Sequence, residues 1–165
     1  EKLAKEDPLT SIMNARSYYD IGQKLFKLAR RENKALCTLY LDIDHFKNIN
    51  DSYGHHCGDR VLISITQVIK SALRDSDILA RIGGEEFCIL LPDTSLEGGQ
   101  VLAEKIRAAI ENTPISLEKI TIQVTTSIGV TAISDDDKDL DSIQMRADKN
   151  LYAAKRIGRN RVVAS

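Results

Sequence analysis

Several features are absent from this chain of 165 residues. No apolar run approaches the roughly 20 residues that a membrane-spanning helix needs, and no signal-peptide pattern is visible in these residues. The three cysteines are odd in number, and Cys37 and Cys88 lie in apolar runs typical of buried strands, so we expect reduced thiols and not a disulfide framework. The formal net charge of −1 provides no domain-wide basic field for nucleic acid or an anionic membrane. These absences favour a cytoplasmic domain that binds neither nucleic acid nor a membrane surface.

The chain divides into a short polar start and one domain. We expect residues 1–6 to be the end of a linker helix from a longer protein, because a residue that precedes proline, as Asp7 precedes Pro8, is pushed out of the helical region. Residues 7–165 contain no internal repeat and no low-complexity linker, and they are long enough for a single hydrophobic core.

Hydrophobic periodicity predicts an α+β fold. Helices are expected at residues 15–31, within 44–53, at 59–73, from the N-cap Ser95 onward and at 140–154. Strands are expected at 35–43, 78–80, 87–91, 120–133 and 161–164, with a possible bulge at Gly129. From the first strand onward, with the two following helices counted together, the order is β-αα-β-β-α-β-α-β. It indicates a ferredoxin-like or palm-type central sheet that contains antiparallel strands and is flanked by helices, which that pattern places on one face.

The segment between the second and third predicted strands organises the candidate site. Gly83 and Gly84 separate two strand-like runs, which predicts a two-residue hairpin of type I′ or II′ with positive φ. Glu85 and Glu86 follow directly, although adjacent carboxylates repel and glutamate is a poor strand former. We therefore expect a metal or a phosphate-bearing ligand at this hairpin.

The predicted topology supplies partners for the two glutamates. In a ferredoxin-like sheet the third strand lies antiparallel to the first, so Asp42 and Asp44 should lie next to Glu85 and Glu86. Carboxylates without a nearby histidine or cysteine favour Mg²⁺ or Mn²⁺. Two such ions, about 4 Å apart, could clamp an in-line phosphoryl displacement.

Other residues suit a nucleotide. The expected helix start at His45, Phe46 and Lys47 has free N–H groups for phosphate. Lys155 and Arg159 are four residues apart, so they can share a helix face near the same phosphates. Two further polar residues, Asn50 and Asp59, lie near glycine turns and could read a base edge, with the aspartate favouring guanine over adenine.

Each feature alone has a more ordinary interpretation. A Glu-Glu pair in a turn or an Asp-x-Asp at a strand end is usually solvated, and basic residues in a last helical turn usually complement the helix dipole. The acidic run at residues 135–139 resembles a cation loop, but it lacks the glycine and final glutamate of a calcium hand and is interpreted as solvated. His55 and His56 are interpreted as structural or solvated. The joint occurrence of the other features carries the argument.

Taken together, the motifs resemble the GGDEF-domain family, the diguanylate cyclases, over nearly the whole chain. The resemblance lies in five segments: Asp7-Pro8-Leu9-Thr10 with Asn14; Asp42 through Asp51; Gly54-His55 with Gly58-Asp59; Gly83-Gly84-Glu85-Glu86-Phe87; and Asp148, Leu151-Tyr152, Ala154-Lys155 and Gly158-Arg159-Asn160. The family's opening glycine and first arginine are replaced by Ser11 and Ala15, which concerns the N-terminal turn and not the chemistry.

The resemblance implies a role for each group of residues. Two Mg²⁺ or Mn²⁺ ions per active site would be held by Asp42, Glu85 and the Ile43 carbonyl, and Asp44 would order the site through Arg81. Catalytic roles would fall to Glu86 and Lys155. GTP would be bound by His45, Phe46, Lys47, Asn50, Asp59, Leu62, Gly83, Gly84, Lys155 and Arg159. An inhibitory product site would comprise Arg74, Asp77 and Lys105, with the lysine in place of an arginine.

The family implies that two GTP molecules condense to cyclic di-GMP with release of two pyrophosphates. Because each domain would hold one GTP, a second copy of the domain is required, and its geometry would be set by a preceding regulatory or sensor domain. Two alternatives stay open: a module that binds GTP or cyclic di-GMP without turnover, and an unrelated nucleotidyltransferase with a similar sheet. The sequence also leaves open whether the parent protein is membrane-anchored.

Overall fold

A computed structural model describes residues 4–165. The five helices of these residues are α1 (Ala15–Glu32), α2 (Phe46–Tyr53), α3 (His55–Ala72), α4 (Leu96–Glu111) and α5 (Leu140–Ile157). Their strands are β1 (Met13–Asn14), β2 (Leu36–Ile43), β3 (Ile78–Arg81), β4 (Glu86–Pro92), β5 (Ile115–Leu117), β6 (Ile120–Ile122), β7 (Thr126–Ala132) and β8 (Val162–Ala164). The predicted α+β class is confirmed, as is the Ser95 cap, whose hydroxyl accepts a hydrogen bond from Gly98 N–H at 3.1 Å.

Strand β2 lies inside a six-stranded sheet of order β1-β3-β4-β2-β7-β8. It is antiparallel to both β4 and β7, and nearly all of it is buried, as its apolar sequence predicts for an inner strand. The register pairs Asp42 with Glu86. The prediction that the third predicted strand runs antiparallel beside the first is therefore confirmed.

Helices cover both faces of the sheet, so the expectation of a single covered face is wrong. On one face, Leu39 and Leu41 of β2 pack in a core with Ile65 of α3 and Ile106 of α4. On the other face, a second core contains residues of α1 and α5 together with Leu36, Ala80, Cys88 and Leu90. The physical reason is that the inner strands carry apolar side chains on both faces, and each face must be removed from water.

The predicted strand at residues 120–133 is divided. Its start, β6, forms a separate hairpin with β5, and only β7 joins the main sheet. Gly129 is not at a bulge, because its pairing with Tyr40 continues the regular register. A Cβ at Gly129 would lie 2.1 Å from the Ala147 carbonyl oxygen and 2.4 Å from Leu151 N. Glycine is thus required there because the backbone of α5 crosses closely over β7.

The Gly-Gly connection is also not the predicted two-residue hairpin. Residues 82–85 join β3 to β4, and neither Gly83 nor Gly84 has a positive φ. The Ile82 N–H donates to the Glu86 carbonyl at 2.8 Å, and Arg81 Nη2 donates to the Gly84 carbonyl at 2.8 Å. These contacts hold a longer loop in which the glycines do not need the left-handed conformation.

Two terminal and loop predictions have mixed outcomes. Residues 1–3 of the expected linker helix lie outside the described residues; residues 4–6 are not helical, and Glu6 forms an isolated bridge with Met13. The acidic run is not wholly solvated, because Asp137 is buried and paired with Arg146.

Within residues 4–165, all three cysteines are free, and no helix combines the length and hydropathy required to cross a bilayer.

Candidate functional site

Charged residues from three separate segments of the chain lie near one another where β2 ends and β4 begins: Asp42, the pair Glu85 and Glu86, and Lys155. The sheet register places Asp42 opposite Glu86, and the Ile43 N–H donates to the Glu85 carbonyl at 3.2 Å. From α5, Lys155 Nζ donates to Asp42 Oδ2 at 2.6 Å. The structure therefore places Asp42 near Glu85 and Glu86, as the sequence predicted, and adds a direct contact between Lys155 and Asp42.

The carboxylates of this site are held in unfavourable surroundings. The Asp42 side chain is only 6% exposed. Burial raises the pKa of Asp42 to about 6, although Lys155 opposes that increase; the charges of Glu85 and Glu86 add to it. Burial likewise raises the pKa of Glu86, with Lys155 acting in the opposite direction. A cation near these groups would lower the electrostatic cost of keeping them ionised.

The donor atoms fit a hard cation, but the set of protein ligands is small. No group of three or more acidic, histidine or cysteine side chains in residues 4–165 is placed to hold a metal. Asp42 and Glu85 would supply two carboxylates to such an ion, and the Ile43 backbone would supply a carbonyl. This set suits Mg²⁺, which commonly takes one or two carboxylates and completes its shell with water and substrate phosphates. The Lys155 ammonium forms an ion pair with the Asp42 carboxylate, so a positive charge already lies at this carboxylate.

Asp44 does not order the site through Arg81, so that prediction is wrong. The Asp44 carboxylate accepts hydrogen bonds from Thr125 Oγ1 at 2.7 Å, from Ser127 Oγ at 2.7 Å and from Asn160 N–H at 3.0 Å. Arg81 lies on β3, which β4 separates from β2, and its ion pair is with Asp7 at 3.2 Å. Asp44 thus links the end of β2 to β7 and to the segment after α5.

The expected phosphate-binding residues lie beside these carboxylates in the chain. His45 is the N-cap of α2 with φ 57°, and no side chain caps this helix. Phe46 is buried while Lys47 is exposed, so the aromatic ring belongs to the core and the lysine faces solvent. The uncapped N–H groups suit an anion. Arg159 follows the end of α5 and is also exposed.

The residues expected to read the base differ in accessibility. Asn50 Oδ1 is buried and has no hydrogen-bond partner, and it lies against Gly58, where a Cβ would be 1.9 Å away. A buried acceptor without a partner is costly, so a ligand N–H could satisfy it. Asp59 is exposed, whereas Leu62 is only 2% exposed within the core. Leu62 therefore offers no open apolar surface to a base in this structure.

The expected inhibitory site is partly assembled. Arg74 Nη2 donates to Asp77 Oδ1 at 2.9 Å, and the same nitrogen contacts the Pro92 carbonyl at 3.0 Å. The Asp77 carboxylate lowers the free energy of the charged guanidinium and raises the pKa of Arg74. Lys105 lies exposed on α4, and the described chain contains no hydrogen bond or ion pair between it and either residue.

Sequence reasoning missed two residues near the site. Tyr40 lies two residues before Asp42 on β2, and its proximity to Glu86 slightly opposes the rise in the pKa of that carboxyl group, which burial causes. Asn160 contacts Asp44, although its motif with Gly158 and Arg159 had suggested no role for it. The alternation of side chains along β2 could have placed Tyr40 on the face of Asp42. No local pattern could have identified the Asn160 contact.

Comparisons with known proteins agree on one family. The family described as "Diguanylate cyclase, GGDEF domain" matches residues 4–161. Diguanylate cyclase DgcP of Pseudomonas aeruginosa is 42% identical over 159 residues, which are 96% of this chain and 24% of DgcP. The cyclic di-GMP phosphodiesterase NbdA of the same species is 34% identical over 159 residues, 96% of this chain and 20% of NbdA.

A solved structure shows the same fold. The GGDEF domain of DgcB from Caulobacter crescentus, in complex with c-di-GMP, superposes with a TM-score of 0.94 at 32% identity, covering 99% of this chain and 94% of that chain. The present chain spans 24% of DgcP and 20% of NbdA, so it corresponds to one part of each of these longer proteins.

Proposed function

The chain belongs to the GGDEF-domain family of diguanylate cyclases, and on that premise we propose that it condenses two GTP molecules into cyclic di-GMP with release of two pyrophosphates. The main supporting observation is the convergence of Asp42, Glu86 and Lys155 at the junction of β2, β4 and α5. These are the residue types that metal-assisted phosphoryl chemistry requires at one point.

The reaction needs a base near the attacking ribose 3′-hydroxyl. Glu86 takes this role, since its burial raises the pKa and makes the ionised carboxylate a stronger proton acceptor than an exposed one. The proton of the hydroxyl passes to the Glu86 carboxylate as the oxygen attacks the α-phosphate. Tyr40 lies on the same face of the sheet and lowers the pKa of this carboxyl group slightly.

The triphosphate is bound by backbone and basic groups. The uncapped N–H groups of His45 and Phe46, with Lys47, Lys155 and Arg159, hold its oxygens and offset the charge that develops on the leaving pyrophosphate. Mg²⁺ or Mn²⁺ held by Asp42, Glu85 and the Ile43 carbonyl would supply Lewis-acid stabilisation when bound. Gly83 and Gly84 leave room for the nucleotide beside the hairpin.

Specificity for guanine follows from Asn50 and Asp59. The unpartnered Asn50 Oδ1 can accept from an N–H of the base, and Asp59 can accept from the N–H and NH₂ edge that guanine presents and adenine does not. We expect GTP to bind more tightly than ATP for this reason.

Catalysis requires two copies of the domain. One domain positions one GTP, so the 3′-hydroxyl bound by one copy attacks the α-phosphate bound by the other across a two-fold axis. An upstream regulatory or sensor domain sets this geometry in a longer parent protein. We place the reaction in the cytoplasm, in keeping with the free cysteines Cys37, Cys57 and Cys88.

The test is a product assay on a forced dimer. The chain is fused to a parallel coiled coil, supplied with GTP and Mg²⁺, and the nucleotides are separated by chromatography. Asp42→Ala and Glu85→Ala should remove turnover while circular dichroism shows a retained fold. Asp136→Ala, which replaces an exposed acid of the 135–139 loop, is the matched control and should retain activity. Full turnover by both site variants would refute the metal assignment.

The product should also bind at Arg74, Asp77 and Lys105 and inhibit the enzyme. The structure of the DgcB domain in complex with c-di-GMP supports the capacity of this fold to hold that molecule. Arg74→Ala should reduce cyclic di-GMP affinity in calorimetry. An unchanged affinity would contradict the placement of this site.

A second candidate is a module that binds GTP or cyclic di-GMP without turnover. The similarity to NbdA, a phosphodiesterase by name, favours it, because a GGDEF-like segment there accompanies a different activity. Calorimetric binding of GTP by a forced dimer that forms no product would support this function over the first. A different product from GTP would instead indicate an unrelated nucleotidyltransferase activity.

A further inference from the structure

The loop after α5 has an unusual backbone. Gly158, Arg159 and Asn160 have φ values of 143°, 63° and 47°, so two consecutive residues with side chains adopt the left-handed region. That region is sterically unfavourable for a residue with a Cβ. Such a loop persists only where surrounding contacts hold it. Arg159 of this loop is exposed and is one of the proposed triphosphate ligands.

Asn160 joins this loop to two other parts of the molecule. Its backbone N–H donates to Asp44 Oδ2 at 3.0 Å, at the end of β2. Its side-chain Oδ1 accepts from Arg107 Nη1 at 2.7 Å, and its Nδ2 donates to Glu111 Oε2 at 2.5 Å. Arg107 and Glu111 both lie on α4, so one residue is held between the β2 end and a helix.

Arg107 is itself immobilised by two carboxylates. Its guanidinium pairs with Glu104 at 2.6 Å and with Glu111 at 3.2 Å, and the arginine side chain is only 16% exposed. Hydrogen bonds from Arg107 lower the pKa of Glu104, and bonds from Asn160 and Arg107 lower the pKa of Glu111. Bidentate and charge-assisted bonds of this kind restrict geometry strongly.

We infer that Arg107 and Glu111 are positioning residues that hold Asn160 and thereby place Arg159 for the triphosphate. The inference rests on the proposed function. Neither residue needs to touch the nucleotide, because both act through the amide side chain of Asn160. Helix α4 is thus connected to the phosphate-binding region through the hydrogen bonds of the Asn160 side chain.

The test measures nucleotide affinity and not turnover. The probe is the α,β-methylene analogue of GTP with Mg²⁺, which cannot release pyrophosphate, titrated calorimetrically into the whole chain. Arg107→Met should weaken binding about tenfold, as expected when one charge-assisted hydrogen bond is no longer made. Asn160→Gly keeps the left-handed backbone and its N–H but removes the amide, and it should weaken binding similarly.

The two glutamates provide a matched pair of variants. Both contact Arg107, but only Glu111 also contacts Asn160. Because both carboxylates are partly exposed, their replacement should be tolerated by the fold. Glu111→Ala should weaken binding of the analogue more than Glu104→Ala, because Glu104→Ala loosens Arg107 but leaves both side-chain hydrogen bonds of Asn160 possible. Equal effects of the two variants would overturn the inference.

A double-mutant cycle with Arg159→Met separates positioning from general destabilisation. If Arg107 acts through Arg159, adding Arg107→Met to Arg159→Met should cause no further loss of affinity. An additive loss would show that Arg107 supports the domain as a whole and would refute the positioning role. If the unmodified chain does not bind the analogue, the proposed function fails as well; if it binds and Arg107→Met has no effect, only the positioning role fails.

Discussion

Asp42 is proposed to hold a metal ion, and its buried carboxylate should lower the unfolding free energy of the domain when no metal is bound. Its carboxylate is almost completely buried, 6% exposed, and two glutamates lie nearby, so the metal-free domain holds a charge in a place that disfavours charge. Replacing this aspartate by asparagine, in the variant Asp42→Asn, keeps the shape of the side chain and removes the charge. We predict that this variant unfolds less easily than the natural chain at neutral pH, although it should lack turnover.

The magnitude follows from the pKa of Asp42, which rises from 3.8 to about 6 on folding. At about 1.4 kcal/mol per pKa unit, the rise corresponds to a penalty of roughly 3 kcal/mol once the group is ionised in both states. Below pH 3.8 both states are protonated and the penalty is absent; it grows as the pH rises through that value and is complete above about pH 6. The raised pKa therefore makes the folded state less stable as pH increases through this window.

Urea denaturation of both proteins between pH 4 and pH 8, in the presence of a chelator, would test this. The difference in unfolding free energy between Asp42→Asn and the natural chain should grow in favour of the variant by roughly 2–3 kcal/mol across the series, because part of the penalty is already present at pH 4. Contributions of groups that titrate alike in both proteins cancel in this difference. A difference that stays constant with pH would refute the reasoning. Lys155→Met should extend the window to higher pH and enlarge the difference, because it removes the charge that opposes the rise in the pKa of Asp42 in the folded state.

Three glycines support further predictions. A Cβ at Gly83 would lie 2.7 Å from Glu86 Oε1, so Gly83→Ala should displace this carboxylate and lower kcat on the order of a hundredfold with little loss of stability in urea. Gly84 has open space around it, so Gly84→Ala should instead raise KM for GTP in steady-state assays; no change would indicate that the nucleotide does not approach there. Gly129→Ala would press a Cβ against the Ala147 carbonyl and should lower the unfolding free energy by roughly 3 kcal/mol; a loss below about 1 kcal/mol would mean that α5 can shift.

The principal helices and strands were predictable because each has a strong periodic pattern. The inward positions Leu140, Ile143 and Ala147 of α5 are all buried, as their spacing predicts. The short strands β1, β5 and β6 were not predicted as separate strands, because two or three residues are too few to show alternation. The hairpin was predicted with the wrong length, since contacts made by Arg81 with the Gly84 carbonyl determine its shape.

Some residues of the candidate site could be predicted from the sequence, and some of their contacts could not. Asp42, Glu85 and Glu86 could be selected from the sequence because carboxylates at strand ends, beside a glycine turn, are the ligand type and placement that a hard cation requires. The role predicted for Asp44 was wrong in its partner, since Arg81 lies two strands away in the sheet. Strand order determines which side chains can meet, and the spacing of Asp44 and Arg81 in the chain does not predict that order.

Sequence by itself determined the residue types and the kind of chemistry, whereas tertiary structure decided which of these groups touch. Lys155 contacts Asp42 across 113 positions of the chain, and Asn160 contacts Asp44 across 116. These contacts, and the burial that raises the pKa of Asp42, arise when α5 packs on the sheet beside β2. Local periodicity reflects the preferences of neighbouring residues, but the electrostatics of a buried carboxylate depend on what the folded chain places around it.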